Sequence, residues 1–246
     1  ALGEEVIHKL QRHKVNTEYM QTVPGGMSTW LAVFDHNGDV AGSISQRPDL
    51  TPILTILEEK GDEIISQCDS VVIEVDMEKE IVKKVVELCE KHQKKLYGVV
   101  SNMSIAMERR DFLQKFDCFI CNQQEAGMFF SDDYNDKTPD EMQDILANCL
   151  KHANISSMVV TMGGQGAVFA DKNGLRGFCP ARSVQEKENT GAGDSFCAGV
   201  ASGLTYGNTL EEAVAIGTRL AASVITSSEN VCPRFLPAEL GITEQV

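Results

Sequence analysis

Between residues 70 and 161 short β-branched runs alternate with longer runs whose apolar residues recur every three or four positions. That alternation narrows the fold more than any other feature of the sequence. Ser70-Val71-Val72-Ile73-Glu74-Val75 reads as a strand, and residues 78–91 follow with Ile81, Val85, Leu88 and Cys89 at helical spacing. Residues 96–100 then read as strand, 104–115 as helix, 118–121 as strand, and a helix opens near Gln123. Thr138-Pro139-Asp140-Glu141 carries a cap, a proline at the first helical position and a glutamate that closes a capping box. Its helix runs to about His152, a strand follows at 157–161, and Thr209-Leu210-Glu211-Glu212 opens another capped helix. Strand–helix alternation of this kind predicts an α/β fold, a mostly parallel sheet with helices on both faces.

Residues 25–46 break the rhythm. Thr29-Trp30-Leu31-Ala32-Val33-Phe34 and residues 40–45 read as two strands joined by His36-Asn37-Gly38-Asp39, a hairpin signal. Apolar residues on both of its faces call for a second surface. An edge hairpin of the main sheet and a lid over a site both satisfy that demand.

The richest stretch for chemistry is Asn189-Thr190-Gly191-Ala192-Gly193-Asp194-Ser195-Phe196, a small-residue turn opening a helix. Glycines let backbone N–H groups converge, and a helix N-terminus adds about half a positive charge. Gly191, Ala192 and Gly193 therefore form a site for an anion such as phosphate. Asp194 stands beside it as a candidate base for a hydroxyl that attacks the phosphorus. A second glycine-rich run, Thr161-Met162-Gly163-Gly164-Gln165-Gly166, precedes Ala167-Val168-Phe169-Ala170 and the turn Asp171-Lys172-Asn173-Gly174. A dinucleotide fingerprint needs a helix after its glycines, so the strand and turn here disfavour NAD. The P-loop pattern and the protein-kinase motifs are absent from the sequence.

With 246 residues, 42% hydrophobic and 24% charged, the chain has the composition of an ordinary globular protein. No apolar run reaches the roughly 18 residues of a membrane span. A formal net charge of −14 argues against nucleic acid. It also means that a phosphate-handling site must reverse the field locally, with backbone dipoles and a metal ion. The eight cysteines are scattered; Cys118 and Cys121 form a lone Cys-x-x-Cys without a second pair at zinc spacing. They read as buried small hydrophobes in a reducing cytoplasm.

Gly191, Ala192, Gly193, Asp194 and Phe196 resemble the signature of the ribokinase-type (PfkB) carbohydrate kinases, Asp-Thr-x-Gly-Ala-Gly-Asp-x-Phe. The resemblance runs from about Gly3 to Pro233. It implies an ATP-dependent kinase of a sugar or nucleoside hydroxyl, with Asp194 as base and the amides of Gly191, Ala192 and Gly193 on the transferred phosphoryl group. Asn122-Gln123-Gln124-Glu125 is similar to the family's Asn-x-x-Glu motif, which makes Glu125 the organiser of Mg2+ and Asn122 a phosphate-placing residue. Taken alone, those four letters read equally as a helix cap. Thr161, Gly163 and Gly166 match the family's Thr-x-Gly-x-x-Gly segment, which lines the nucleotide. The resemblance also makes residues 23–47 a β-hairpin lid, capable of pairing with its twin in a homodimer. Residues 1–22 and 48–246 then form the nucleotide- and substrate-binding domain.

Glu188 and Asn189 depart from the signature, and Glu229-Asn230 replaces a usual Gly-Ala, so no monovalent-cation site is expected. Arg219 could approach the nucleotide, but reads rather as part of an exposed helix face. The Met27–Trp30 entry and the Cys232-Pro233-Arg234-Phe235 tail resemble pseudouridine-kinase-like members. The family's first strands, which hold the sugar hydroxyls, have no counterpart in residues 1–22, which suggests a missing N-terminal segment. That absence keeps a second reading open, a non-catalytic nucleotide-binding protein of the same fold.

Overall fold

The computed structural model describes residues 2–24, 27–34, 40–185, 190–228, 231 and 237–241. The turn at 36–39, Gly25-Gly26, Glu188, Asn189, Glu229-Asn230 and the tail at 232–235 lie outside the described residues. The chain divides into two compact units, residues 1–61 and 62–246.

The first unit carries helix α1 (Leu2–Arg12), strands β1 (Thr29–Phe34) and β2 (Val40–Gln46), and most of helix α2 (Thr51–Gln67). β1 and β2 pair antiparallel, with Leu31 opposite Ile44 and Val33 opposite Gly42. Alternation puts Leu31, Val33 and Ile44 on one face of the hairpin, each more than 60% exposed, and Trp30 on the other at 57%.

The second unit holds a six-stranded sheet whose strands follow one another in space as they do in sequence. β3 (Ser70–Glu74), β4 (Lys95–Val99), β5 (Cys118–Asn122) and β6 (Ser157–Thr161) are parallel. β7 (Gly166–Asp171) and β8 (Arg176–Pro180) complete it antiparallel, through the turn at 171–174. Helix α3 (Lys79–His92) connects β3 to β4 and buries Ile81, Val82, Val85, Val86, Leu88 and Cys89.

The helix expected at 104–115 is broken. It forms as α4 (Met103–Ala106), a 3₁₀ turn at Met107–Arg109 and α5 (Arg110–Leu113). Met103 and Ala106 in its first piece, Leu113 at its end and Phe116 just beyond are buried, so the broken segment still turns an apolar side to the core.

Helices α6 (Gln123–Phe130) and α7 (Pro139–Ala153) lead from β5 to β6, and α8 (Ala192–Thr205) and α9 (Leu210–Ile225) follow β8. One sheet face, made by Tyr97, Cys118, Ile120, Val159, Ala167 and Phe169, packs on Phe196, Val200 and Ala201 of α8 and on Leu210, Ala213 and Val214 of α9. Phe119 points to the other face, where its ring lies 6.0 Å from that of Phe129 in α6. The expected two-faced α/β architecture and the small antiparallel sheet are both present. Cys118 and Cys121 are buried in β5, and burial pushes the Cys118 thiol up to about 12, which suits core packing and not redox chemistry.

Candidate active site

In a parallel sheet the carboxyl ends of the strands all point the same way, and here β5 and β6 reach two residues beyond β3 and β4. Glu74 pairs with Val99 across β3 and β4, and Asn122 pairs with Thr161 across β5 and β6. Side-chain alternation turns Glu74, Asn122 and Thr161 toward the face that α8 and α9 cover.

Gly191 caps α8 in the left-handed region, φ 85°, a conformation that costs a residue with a Cβ about 1–2 kcal/mol. Its carbonyl accepts the N–H of Ser195 at 2.9 Å and so starts the helix. In a helix the N–H groups ahead of that first bond have no intrahelical acceptor, so those of Ala192, Gly193 and Asp194 are left for a ligand. Asp194 sits in this first turn and is exposed.

Beyond Thr161 the chain forms a 3₁₀ turn at Gly163–Gln165 and re-enters the sheet at Gly166. Met162 N–H donates to the Gly166 carbonyl at 2.8 Å, which closes the turn. Gly163 (φ 54°) and Gly166 (φ 127°) both need left-handed backbone, and a Cβ on Gly166 would stand 2.1 Å from the Cys179 oxygen. Only glycine fits there.

These two turns line one cavity of about 530 Å³. Thr161, Gly163, Gly166, Ala192 and Gly193 all face it. Asn122, Glu125, Asp194 and Gly191 are not among its lining residues. Arg219 is half-buried, not on an exposed face, and does not line the cavity either.

Asn122 and Glu125 form a capping box. Asn122 Oδ1 accepts the Glu125 N–H at 2.8 Å, and Glu125 Oε2 accepts the Asn122 N–H at 2.7 Å. The cap thus fixes the Glu125 carboxylate at the end of β5. Burial raises its pKa, the bond from the Asn122 N–H opposes that, and the Asp76 charge adds to it.

The end of β3 and the turn after it supply two acids that the sequence reading did not single out. Asp76 is buried, and Glu74 is pushed up to about 7, by desolvation first and then by Asp76 beside it. Ser101 donates to Glu74 from both its hydroxyl and its backbone N–H. The buried Glu74 Oε1 receives neither and has no hydrogen-bond partner in the structure. Cys197, one turn into α8, ties the acids together. Burial pushes its thiol up to about 12, and Asp194, Glu74 and Glu125 each add to that.

The arrangement is an amide-lined cavity flanked by carboxylates. Among the described residues no group of three or more His, Cys, Asp or Glu stands ready to hold a metal by itself. The donor set nonetheless suits magnesium, which takes hard oxygen ligands and keeps several waters. Glu125 is fixed by its cap and destabilised by burial, and a cation carried in with phosphates would relieve it.

The cavity has other walls that the sequence did not announce. Arg182, Ser183 and Val184 come from the segment after β8, and Thr218, Ala221, Ala222 and Ile225 from α9. No local pattern marks the α9 residues as a wall, since the close approach of α9 to α8 at Gly199, Gly203 and Gly217 brings them there.

The profile of pfkB family carbohydrate kinases matches residues 1–232. A guanosine-inosine kinase from Exiguobacterium acetylicum is 32% identical over 242 residues, which are 96% of this chain and 78% of that protein. A ribokinase from Bacillus subtilis is 24% identical over 92% of this chain and 71% of its own length. Among solved structures, an adenosine kinase from Sinorhizobium meliloti superposes with a TM-score of 0.75 at 21% identity, covering 98% of this chain and 74% of that one.

Proposed function

The chain belongs to the pfkB family of carbohydrate kinases, and we propose that it transfers the γ-phosphoryl group of ATP to a hydroxyl of a purine nucleoside. Kinase activity toward a sugar or nucleoside hydroxyl, with ATP as donor, follows from the family. The nucleoside preference leans on the guanosine-inosine kinase, whose likeness to this chain reaches 32% over nearly its whole length. The observation that carries the catalytic reading is the Gly191 turn, which frees the amides of Ala192 and Gly193 toward the same cavity that Thr161, Gly163 and Gly166 line.

In this reading the nucleotide occupies that cavity, with its phosphates toward the α8 N-terminus. Asp194 takes the proton of the attacking hydroxyl, and the amides of Gly191, Ala192 and Gly193 hold the charge that grows on the transferred group. Aligned backbone donors cost no reorganisation at that moment, and losing one typically costs about 10²–10³ in rate. Asn122 helps place the phosphates. Glu125 would hold Mg2+, which when bound neutralises charge on the phosphate oxygens. The hairpin at 23–47 serves as a lid that excludes water, and its exposed Leu31, Val33 and Ile44 suit pairing with a second copy. The proposed compartment is the cytoplasm. No helix among the described residues is long and apolar enough to cross a membrane.

The test is a panel of guanosine, inosine, adenosine, pseudouridine, ribose and fructose offered to the chain with ATP and magnesium. Phosphorylation of guanosine or inosine with kcat/KM about 100-fold above ribose is the expected outcome. Preference for ribose or fructose would overturn the nucleoside assignment alone. ATP binding without turnover on any acceptor would overturn the kinase reading.

A further inference from the structure

Arg182 is the one charged side chain among the described residues that line the cavity. Apart from Arg219, which does not line the cavity, the charged groups named near it are acids, and the chain as a whole carries −14. A polyphosphate approaching Glu125 and Asp194 meets repulsion that the amides at one helix end, worth about half a charge, offset only in part. The backbone fixes where Arg182 begins. Ala181 N–H donates to the Gln165 carbonyl at 3.0 Å, binding the segment after β8 to the Gly163–Gln165 turn. The missing Cβ of Gly166 allows that approach, since it would otherwise meet Ala181 N at 2.7 Å. The residue next to this clamp is therefore held at the rim of the glycine turn.

A guanidinium is a planar fork of donors that matches phosphate oxygens, and it stays charged at any pH the protein survives. Resting on the reading of this cavity as the nucleotide site, we propose that Arg182 binds the nucleotide's polyphosphate from the β8 side of the cavity. Together with the α8 amides it supplies the local reversal of field that a strongly acidic chain needs. Arg182 is exposed and stands on a loop, so its replacement should leave the fold intact.

ATP and AMP affinities are measured by calorimetry on the full chain and on Arg182→Ala, Arg182→Lys and Arg182→Glu, at low and high salt. Thermal midpoints serve as the check on folding. Arg182→Ala is expected to bind ATP about tenfold more weakly, Arg182→Glu more weakly still, and Arg182→Lys within about threefold of the parent. The deficits should shrink in high salt and be smaller for AMP than for ATP. Parent-like ATP binding by both Arg182→Ala and Arg182→Glu would overturn the proposal while leaving the nucleotide site standing. Equal losses for ATP and AMP would also overturn it, by moving the contact to the base or ribose. A parent chain that does not bind ATP would overturn both this proposal and the reading it rests on.

Discussion

Replacing Gly199 by alanine should push apart the two helices that build the nucleotide end of the molecule. Gly199 faces Gly217 where α8 crosses α9, and a Cβ there would lie 2.6 Å from Gly217 Cα and 2.9 Å from Gly217 N. Carbon atoms in contact prefer about 3.5–4.0 Å, so the helices must separate by roughly 1 Å. Both partners at the crossing are backbone, and no side-chain rotation relieves the clash. Overpacking of this kind costs about 1–3 kcal/mol, and the better helix propensity of alanine returns at most about 1 kcal/mol. A net loss of about 1–2 kcal/mol would lower Tm by roughly 2–8 °C in a chain of this size. The functional consequence follows from what the helices carry. α8 brings Ala192 and Gly193 to the cavity, and α9 brings Thr218, Ala221, Ala222 and Ile225. Their separation should raise KM for ATP more than KM for the acceptor. Calorimetric unfolding and steady-state kinetics read the two effects. Gly3→Ala, in α1 with nothing within 4 Å of the added carbon, is the control and should be neutral or slightly stabilising. A Gly199→Ala chain as stable as the parent, with unchanged KM for ATP, would refute the close-packing argument.

Two further outcomes are expected. Glu74 has a folded pKa of about 7 against an ordinary 4.5, so the folded chain holds this proton more tightly than the unfolded one. Its contribution to stability is then fully present below about pH 4.5, declines between there and about pH 7, and is flat above. Glu74→Gln should remove that decline and stabilise the chain at pH 8 by about 1–2 kcal/mol after allowance for partial exposure, measured by urea unfolding across pH. An unaltered pH profile would deny the raised pKa. Gly166→Ala should cost upward of about 3 kcal/mol, because left-handed backbone and a 2.1 Å overlap add together. Gly164→Ala, in the same turn with open space around it, should be tolerated, and equal stability of the two variants would contradict the turn geometry.

Much of this was legible because the sequence carries local signals that the tertiary fold leaves alone. Thr138 with Glu141 and Thr209 with Glu212 form the capping boxes their spacing implied. The strand at Ser157–Thr161 has the expected bounds. The motif at Asn122 and Glu125 was readable as a cap or as a ligand-organising pair, and the cap is present. The two roles are compatible, since the cap uses Oε2 of the glutamate. The helix expected at 104–115 forms only in short pieces on either side of the 3₁₀ turn at Met107–Arg109, although its apolar spacing fits a continuous helix. The α9 wall of the cavity was hidden. Ala221 and Ala222 matter only because glycines at 199, 203 and 217 bring α9 close to α8, a pairing that no local pattern reveals. Glu74 was read within a strand and Asp76 was passed over, because their coupling comes from burial in the folded chain, which no local pattern announces.

Asp194→Asn tests the account most directly, because it removes the proposed base while keeping the shape and the amides around it. Single-turnover phosphoryl transfer to the preferred nucleoside should fall about 10²–10⁴-fold, with ATP affinity within a few-fold of the parent and Tm little changed. A variant that transfers phosphoryl groups within tenfold of the parent rate would contradict the assignment of Asp194 and the mechanism built on it.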